Sequence, residues 1–289
     1  MDRTATFEEH RGLLFSIAYR MLGTASDAED VVQEAFLRWE RAADADVASP
    51  KAFLSTVVTR LAIDHLRAAR TQREEYVGPW LPEPLVDETA PSPADQMVLA
   101  ESLSMAFLVV LEQLGAVERA VFILREVFDY DYAEIARIVG KTPEHCRQVL
   151  HRARERVVAA RRRPTVSREE QERLTHQFLA TIATGDVRAL AAMLADDVVL
   201  WSDGGGKRVA ARNPIRGSMR VARFFAGIWR KAPPDVTFRM ALVNGQPGVV
   251  TYLAGRPYHV MVFDVADGLV TAVRAVVNPD KLRRVPDLH

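Results

Sequence analysis

Cysteine, long apolar runs and net charge are what this sequence has little of. Its 289 residues include one cysteine, Cys146, which excludes an internal disulfide framework. No Cys/His cluster has the spacing of a zinc site, so we expect neither a metal nor another cofactor. No apolar run approaches the roughly 20 residues that span a bilayer. The first ten residues also lack the apolar core of a signal peptide, and together these absences predict a cytoplasmic protein without a membrane segment.

The net charge is zero, with 38 basic and 38 acidic residues, but the charge is unevenly distributed. Residues 141–163 hold eight Lys or Arg and two Glu. A concentrated basic stretch in a neutral protein is typical of nucleic-acid binding. Residues 76–96 instead hold four acidic residues, no Lys or Arg, and five prolines. Because proline forbids a regular helix, this segment is predicted to be an extended linker. A plain tether is one interpretation, but the apolar cluster at residues 76–81 predicts that the linker docks on another part of the chain.

The basic stretch lies in a predicted helix-turn-helix. Gly140 should end a first helix in the left-handed conformation, and Thr142 with Pro143 should begin a second helix. The exposed face of the second helix has residue types that pair with base edges and phosphates in a major groove. An ordinary helical hairpin with a solvated charged face is the alternative. The candidate DNA-binding residues are Thr142, Glu144, His145, Arg147, Gln148, His151, Arg152 and Arg154.

The rest of the chain divides at about residue 164. Amphipathic patterns predict helices at about 6–22, 27–39, 51–70, 99–114 and 120–127 before it. After it, helices are predicted at 166–183, 187–195 and 218–231, with strands at 198–202, 236–244, 249–254, 258–265 and 269–277. Helices followed by an antiparallel meander indicate an α+β fold.

Acid–base chemistry in the C-terminal third was considered as an alternative function. Asp203, His259 and Asp264 are the candidate residues, because pocket folds sometimes use an Asp/His pair. His259, however, alternates with apolar neighbours along a strand, which is more typical of a core histidine. We therefore expect that the protein is not an enzyme.

Two regions resemble bacterial RNA polymerase sigma factors. Residues 27–38 (DAEDVVQEAFLR) and 61–67 (LAIDHLR) are similar to the second conserved sigma region, and the helix-turn-helix with its trailing HRAR at 151–154 is similar to the fourth. Only a linker separates them, as in the extracytoplasmic-function (ECF) type. The resemblance implies core-polymerase binding by Asp27, Asp30, Gln33, Glu34 and Arg38. It implies -10 recognition by Lys51, Arg60, Asp64, His65, Arg67 and Arg70, and -35 recognition by the helix-turn-helix. Sigma factors often carry Asn where Arg60 stands.

Residues 177–198 resemble the opening of a SnoaL/NTF2-like cone domain. Three short motifs resemble the ECF group called ECF41 or SigJ-like: WLPEP at 80–84, DGGGK at 203–207 and NPDKL at 278–282. The resemblance implies that the fused domain tunes activity in cis. Three consecutive glycines suit a tight docking loop, although a flexible loop is the simpler alternative. The implied regulatory residues are Trp80, Leu81, Pro82, Asp203, Gly204, Gly205, Gly206, Lys207, Asn278, Pro279, Asp280, Lys281 and Leu282.

The expected organisation is multidomain, with two all-α sigma domains followed by an α+β SnoaL/NTF2-like domain. The expected boundaries are 1–75 for sigma region 2, 76–96 for the acidic proline-rich linker, 97–163 for the region 4 helix-turn-helix and 168–289 for the regulatory domain. The implied partners are the β′ and β subunits of the polymerase core and promoter DNA, with no membrane. The C-terminal pocket could hold an unidentified small-molecule ligand. A stand-alone ligand-sensing regulator and a SnoaL-type enzyme with a helical adaptor are the alternative functions.

Overall fold

The structure, a computed structural model, describes residues 2–42, 47–87, 102–160 and 166–288. Two compact units are present. The first comprises Met1–Glu74 and Leu108–Arg162, and the second comprises Glu75–Phe107 and Arg163–His289. The chain therefore leaves the first unit, contributes the linker to the second, and returns.

The first unit is helical. Gly23 and Gly140 end helices at positive φ (74° and 67°), a conformation that glycine adopts at little cost. Its described helices are α1 (Arg3–Leu22), α2 (Ala25–Arg41), α3 (Pro50–Glu74), α4 (Met105–Leu111, which crosses the boundary between the units), α5 (Ala116–Glu126), α6 (Tyr132–Val139) and α7 (Pro143–Ala160).

Apolar side chains at helical spacing form the core of the first unit. Leu14 and Ile17 of α1, Trp39 of α2 and Leu54 of α3 are all buried. Arg119 of α5, a buried cation, donates to the Met21 carbonyl and to the Glu112 carboxylate, at 2.7 Å each. A buried charge needs such partners, so Arg119 fixes α5 against the end of α1.

The second unit is an α+β fold. After the linker strand β1 (Val86–Asp87) and the helices α8 (Arg168–Thr184) and α9 (Val187–Ala192), the chain forms β2 (Leu194–Asp203), β3 (Ile215–Arg216) and α10 (Ser218–Trp229). It then forms β4 (Val236–Val243), β5 (Gln246–Leu253), β6 (Arg256–Ala266), β7 (Leu269–Val276) and a 3-10 helix (Pro279–Leu282). The described strands make one sheet in the order β1-β4-β5-β6-β7-β2-β3. It is antiparallel except where β2 runs parallel to β7.

The space between the helices and the sheet is filled by aromatic rings. Phe178 of α8 packs edge-to-face on Phe225 of α10 and on Phe263 of β6, with ring centroids 5.3 Å apart in both pairs. All three side chains are buried. A small molecule entering this interior would have to displace these rings.

The fold class and most predicted elements are confirmed, with three corrections. The helix expected at 187–195 ends at Ala192, because Leu194 already begins β2 and Val270 donates its N–H to the Met193 carbonyl at 2.9 Å. The helix expected at 120–127 begins earlier, at Ala116, because Glu118 reaches back to the Gly115 N–H at 3.0 Å. Of the helix expected at 99–114, the structure has Met105–Leu111, and residues 88–101 lie outside the described ranges.

Candidate nucleic-acid interface and linker anchor

The helix-turn-helix is set by local capping. Asp131 caps α6 by accepting from the Glu134 N–H at 2.7 Å, and the Glu134 side chain accepts from the Asp131 N–H at 3.0 Å. Thr142 caps α7 by accepting from the His145 N–H at 3.2 Å. These bonds satisfy backbone donors that a helix start leaves free, so the turn geometry follows from its own residues.

One side of α7 is buried and the other is exposed. Cys146 is fully buried, and burial raises the pKa of its thiol, which fits a core residue. The exposed side contains the residues predicted to contact DNA: Glu144, His145, Arg147, Gln148, His151 and Arg152. Arg147 lies 3.1 Å from Glu144 and over the Tyr132 ring, so its guanidinium is already oriented on this face.

Arg154 differs from the other predicted DNA contacts. Its guanidinium donates to Glu126 of α5 at 2.7 Å, and this bond raises the pKa of Arg154. The next basic residue on the helix, Arg156, pairs in the same way with Glu118 at 2.6 Å. Both therefore bind α7 to α5 in this structure.

On α3, the predicted -10 residues are only partly available. Lys51, Asp64 and Arg67 are exposed, with Asp64 and Arg67 3.4 Å apart. His65 is half-buried and its Nε2 lies 3.4 Å from the Asp27 carboxylate. The side chain of Arg70 lies outside the described part of the chain.

Arg60 makes the most specific contact between the two helical segments of the first unit. Its guanidinium donates to the carbonyls of Ile138 and Arg137, both at 2.9 Å, at the end of α6. A helix C-terminus carries free carbonyls and partial negative charge, which suit a cation. The Ser55 and Tyr130 hydroxyls are also 2.7 Å apart. Two of the three guanidinium nitrogens of Arg60 are therefore bound to α6 in this arrangement.

We expect that Arg60→Ala opens the contact between α3 and α6, because two charge-assisted bonds to the helix end are lost. Hydrogen exchange should increase for the backbone of residues 136–141. Arg67→Ala removes an exposed cation from the same helix and is the matched control. Equal exchange in both variants would contradict the expected role of Arg60.

The predicted polymerase-binding residues lie on α2. Asp30, Gln33 and Arg38 are exposed, whereas Asp27 and Glu34 are partly buried. Leu37, which was not among the predicted residues, is 41% exposed beside them. Single exposed apolar side chains are common on protein surfaces, so Leu37 does not by itself mark a docking surface.

Asp203, at the end of β2, anchors the linker within the second unit. It has 0% relative exposure. Its carboxylate accepts from the Tyr76 hydroxyl at 2.6 Å, from the Leu81 N–H at 2.8 Å and from the Lys281 ammonium at 2.7 Å. Lys281 also donates to the Leu81 carbonyl at 2.5 Å. The motifs at 203–207 and 278–282 thus meet the linker, which contains the motif at 80–84, at one buried carboxylate.

Aromatic rings surround this ion pair. The Lys281 ammonium lies 4.3 Å from the Trp80 ring centroid and 5.0 Å from that of Tyr76, distances typical of cation–π contacts. Asn278 donates to the Tyr76 hydroxyl at 2.9 Å. Burial, with the adjacent Asp203, raises the pKa of Tyr76, so this hydroxyl stays protonated and remains a donor.

Close approach requires two of the three glycines, whereas a Cβ on Gly206 would make only ordinary contact with Val77, at 3.4 Å. Gly205 has φ of 58°, and a Cβ there would lie 2.2 Å from the Asn278 amide nitrogen and 3.0 Å from the Tyr76 hydroxyl. A Cβ on Gly204 would meet the Arg208 carbonyl at 2.5 Å. Asp203, at the start of this loop, is buried and pairs with Lys281. Lys207 does pair at the surface, with Asp280.

Other predicted regulatory residues surround the anchor. Leu81 and Leu282 are buried. Pro82 is also buried, and Pro279 begins the 3-10 helix that carries Asp280, Lys281 and Leu282. Asp280 is half-buried, and its hydrogen bond with Lys207 is the main reason for its lowered pKa.

The linker also extends the sheet, which the sequence did not predict. Strand β1 pairs antiparallel with the edge strand β4. Asn244 fixes this pairing, since its side chain accepts from the Leu85 N–H at 3.1 Å and donates to the Leu103 carbonyl at 3.1 Å. Its turn sequence Asn-Gly, with φ of 53° at Asn244, indicates the hairpin between β4 and β5 but not the pairing with the linker.

The three acid–base candidates have separate partners. Asp203 binds Lys281, and Asp264 accepts from Arg274 at 2.7 Å. His259 lies 3.0 Å from the Thr251 hydroxyl, and desolvation, with the nearby Arg208, lowers its pKa to about 4. His259 is therefore neutral and hydrogen-bonded within the protein, in agreement with its alternation with apolar neighbours along the strand.

Comparison with known proteins assigns both units. Residues 6–72 match the sigma-70 region 2 family, residues 104–157 match sigma-70 region 4, and residues 175–273 match the SnoaL-like domain family. The ECF RNA polymerase sigma factor SigJ of Mycobacterium tuberculosis is 38% identical, covering 97% of this chain and 93% of its own. This chain is an ECF sigma factor. It is thus an alternative sigma factor, a subunit that directs RNA polymerase.

Two further matches agree with the ECF assignment. A probable ECF sigma factor of M. tuberculosis, SigI, is 31% identical, covering 96% of this chain and 94% of its own. The crystal structure of M. tuberculosis SigJ superposes with a TM-score of 0.77 at 36% identity, covering 96% of this ECF chain and 97% of that one. The relatives are sigma factors rather than enzymes.

Two searches of the described residues were negative. No helix in the described ranges is long and apolar enough to cross a membrane. Within the same ranges, no group of three or more His, Cys, Asp or Glu side chains is arranged to hold a metal ion.

We expect that Gly205→Ala weakens the linker anchor, because its Cβ would collide with Asn278. Gly185→Ala is the matched control, since Gly185 also has a positive φ (70°) but nothing within 4 Å of an added Cβ. Gly205→Ala should increase hydrogen exchange in residues 76–87 of the linker and Gly185→Ala should not. Protection that is the same in both variants would show that the loop does not hold the linker.

Proposed function

We propose that the sigma factor contacts promoter DNA and polymerase through the three surfaces described above. The exposed face of α7 binds the -35 element and the basic side of α3 binds the -10 element. The α2 surface that contains Asp30, Gln33, Leu37 and Arg38 binds the polymerase core, including its β′ and β subunits. The exposure of polar and charged side chains on α7 supports this role, because such side chains read base edges in a major groove.

Transcription with core polymerase tests this proposal directly. Core enzyme should initiate at promoters selected from a random pool only when this protein is added. Arg147→Ala should relax base preference at the -35 element, with about 1–3 kcal/mol lost per good base contact. Selection and sequencing with both proteins measures the change, and Arg173→Ala on α8 is the exposed-arginine control. Failure to initiate on every selected promoter would contradict the proposal.

We propose further that the second unit regulates the sigma factor by holding the linker. The observation that carries this is the buried Asp203 carboxylate, which binds Tyr76 and Leu81 of the linker as well as Lys281. A linker fixed in this way cannot at the same time bind elsewhere in the polymerase complex. If core polymerase binds only the form in which the linker is released, the apparent affinity is proportional to the fraction of the protein in that form.

Lys281→Met should therefore increase binding to core polymerase. Removing one partner of a buried ion pair costs on the order of 3–5 kcal/mol, so the linker should be released more often. Lys207→Met is the control, because exposed ion pairs contribute about 0–1 kcal/mol. Titration of labelled core polymerase measures both. Equal affinity of Lys281→Met and wild type, with the linker shown to be released by hydrogen exchange, would exclude this regulation.

A further inference from the structure

A second basic stretch lies in the C-terminal unit, outside every site described so far. Residues 207–231 hold eight Lys or Arg and no Asp or Glu. The helix-turn-helix stretch, residues 141–163, holds eight and two. The two stretches are therefore comparable in charge density, although this one lies in the SnoaL-like domain.

Helix α10 places four of these cations on one face. Its core face, which consists of Val221, Ala222, Phe225 and Ala226, is buried. The opposite face of the helix and its C-terminal end carry Arg220, Arg223, Arg230 and Lys231, all exposed, with Gly227 between them. We call these four cations the α10 basic face. The apolar residues and the cations each recur at three- or four-residue spacing, so the helical period places them on opposite faces of α10.

The α10 basic face has no internal partner among the described residues. None of its four side chains makes an ion pair or hydrogen bond there. By contrast, Lys207 of the same stretch pairs with Asp280, and Arg208 donates to the Tyr258 carbonyl at 2.6 Å.

Two exposed acids lie beside the start of α10, at the end of this face that carries Arg220. Asp186 caps α9 and accepts from the Arg188 and Ala189 N–H groups at 2.9 and 3.1 Å. On β2, Asp196 and Asp197 are exposed beside the start of α10, whereas Arg230 and Lys231 lie at its other end.

We propose that the α10 basic face binds the phosphate backbone of promoter DNA. Three of the four cations are arginines, whose planar guanidinium groups bind phosphate in bidentate fashion. From Arg220 to the helix end at Trp229 the rise is about 14 Å, at about 1.5 Å per residue. Along the duplex axis this length covers about four base-pair steps of about 3.4 Å, so the face matches a short stretch of backbone.

Covalent linkage makes so small a surface effective. Few phosphate contacts give only weak affinity, since nonspecific complexes commonly dissociate at about 10⁻⁴–10⁻⁶ M. A second site on the same chain, however, sees DNA held by the first unit at an effective concentration of about millimolar. The effective-concentration argument rests on the promoter binding proposed above. The charge and exposure of α10 are independent of that proposal.

The salt dependence of DNA binding by the full-length protein tests the inference. Binding of a labelled duplex of arbitrary sequence is measured by fluorescence anisotropy between about 50 and 200 mM NaCl. Arg220→Gln with Arg223→Gln should reduce the slope of log K against log salt by about 1.8, since each lost phosphate contact contributes about 0.9. Arg220→Lys with Arg223→Lys preserves the charge and should leave the slope within experimental error of wild type.

Gly227 provides an independent variant. A Cβ at this position would meet nothing within 4 Å, so substitution is sterically tolerated. Gly227→Glu places a carboxylate within the α10 basic face and should weaken DNA binding about five-fold or more relative to its neutral isostere Gly227→Gln. Thermal unfolding confirms that each variant is folded.

Three results would overturn the inference. The first is a slope unchanged by the double Gln variant. The second is equal DNA affinity of Gly227→Glu and Gly227→Gln. The third is unchanged DNA binding together with weaker binding to core polymerase, which would make the face a protein contact. If Arg152→Gln on α7 lowers the slope while the α10 variants do not, the proposed promoter role stands and only this inference fails.

Discussion

The buried carboxylate of Asp203 is the constraint on which the C-terminal unit depends. A charge without water must be neutralised and hydrogen-bonded, or it destabilises the fold by several kcal/mol. The required donors come from distant parts of the sequence: Tyr76 and the Leu81 N–H from the linker, and Lys281 from the 3-10 helix. Because all of them are needed at one point, the path of the linker is fixed by electrostatics rather than by an apolar core alone.

The first unit uses functional side chains for its own packing. Arg60 donates to the end of α6, and Arg154 donates to Glu126. Both residues are of the kind that binds nucleic acid in the proposed complex. A guanidinium has five N–H donors, so a bond to a carbonyl or a carboxylate leaves some of them free for phosphate. These internal contacts do fix the position of each side chain, so they compete with any DNA-bound arrangement that needs the guanidinium elsewhere.

Local chemistry could be predicted from the sequence, and pairing over long distances could not. Gly140, Thr142 and the stripe that includes Cys146 depend on neighbours within four residues, and the structure has them as expected. The two-residue strand β1 exists only because Asn244 and the edge of β4 lie beside it, which no local pattern reports. Likewise, the motif with Asp203 indicated a docking loop, but its burial depends on Lys281, 78 residues later.

The separation between the linker and its clamp has a consequence for synthesis. The Leu81 carbonyl and the Lys281 ammonium are 200 residues apart in sequence. At translation rates of about 5–20 residues per second, some 10–40 seconds pass between the emergence of the two groups from the ribosome. Throughout that interval Lys281 does not yet hold the linker of the nascent chain. Newborn chains would therefore be unregulated for a period set by translation speed, and slow codons in the last third of the message would lengthen it.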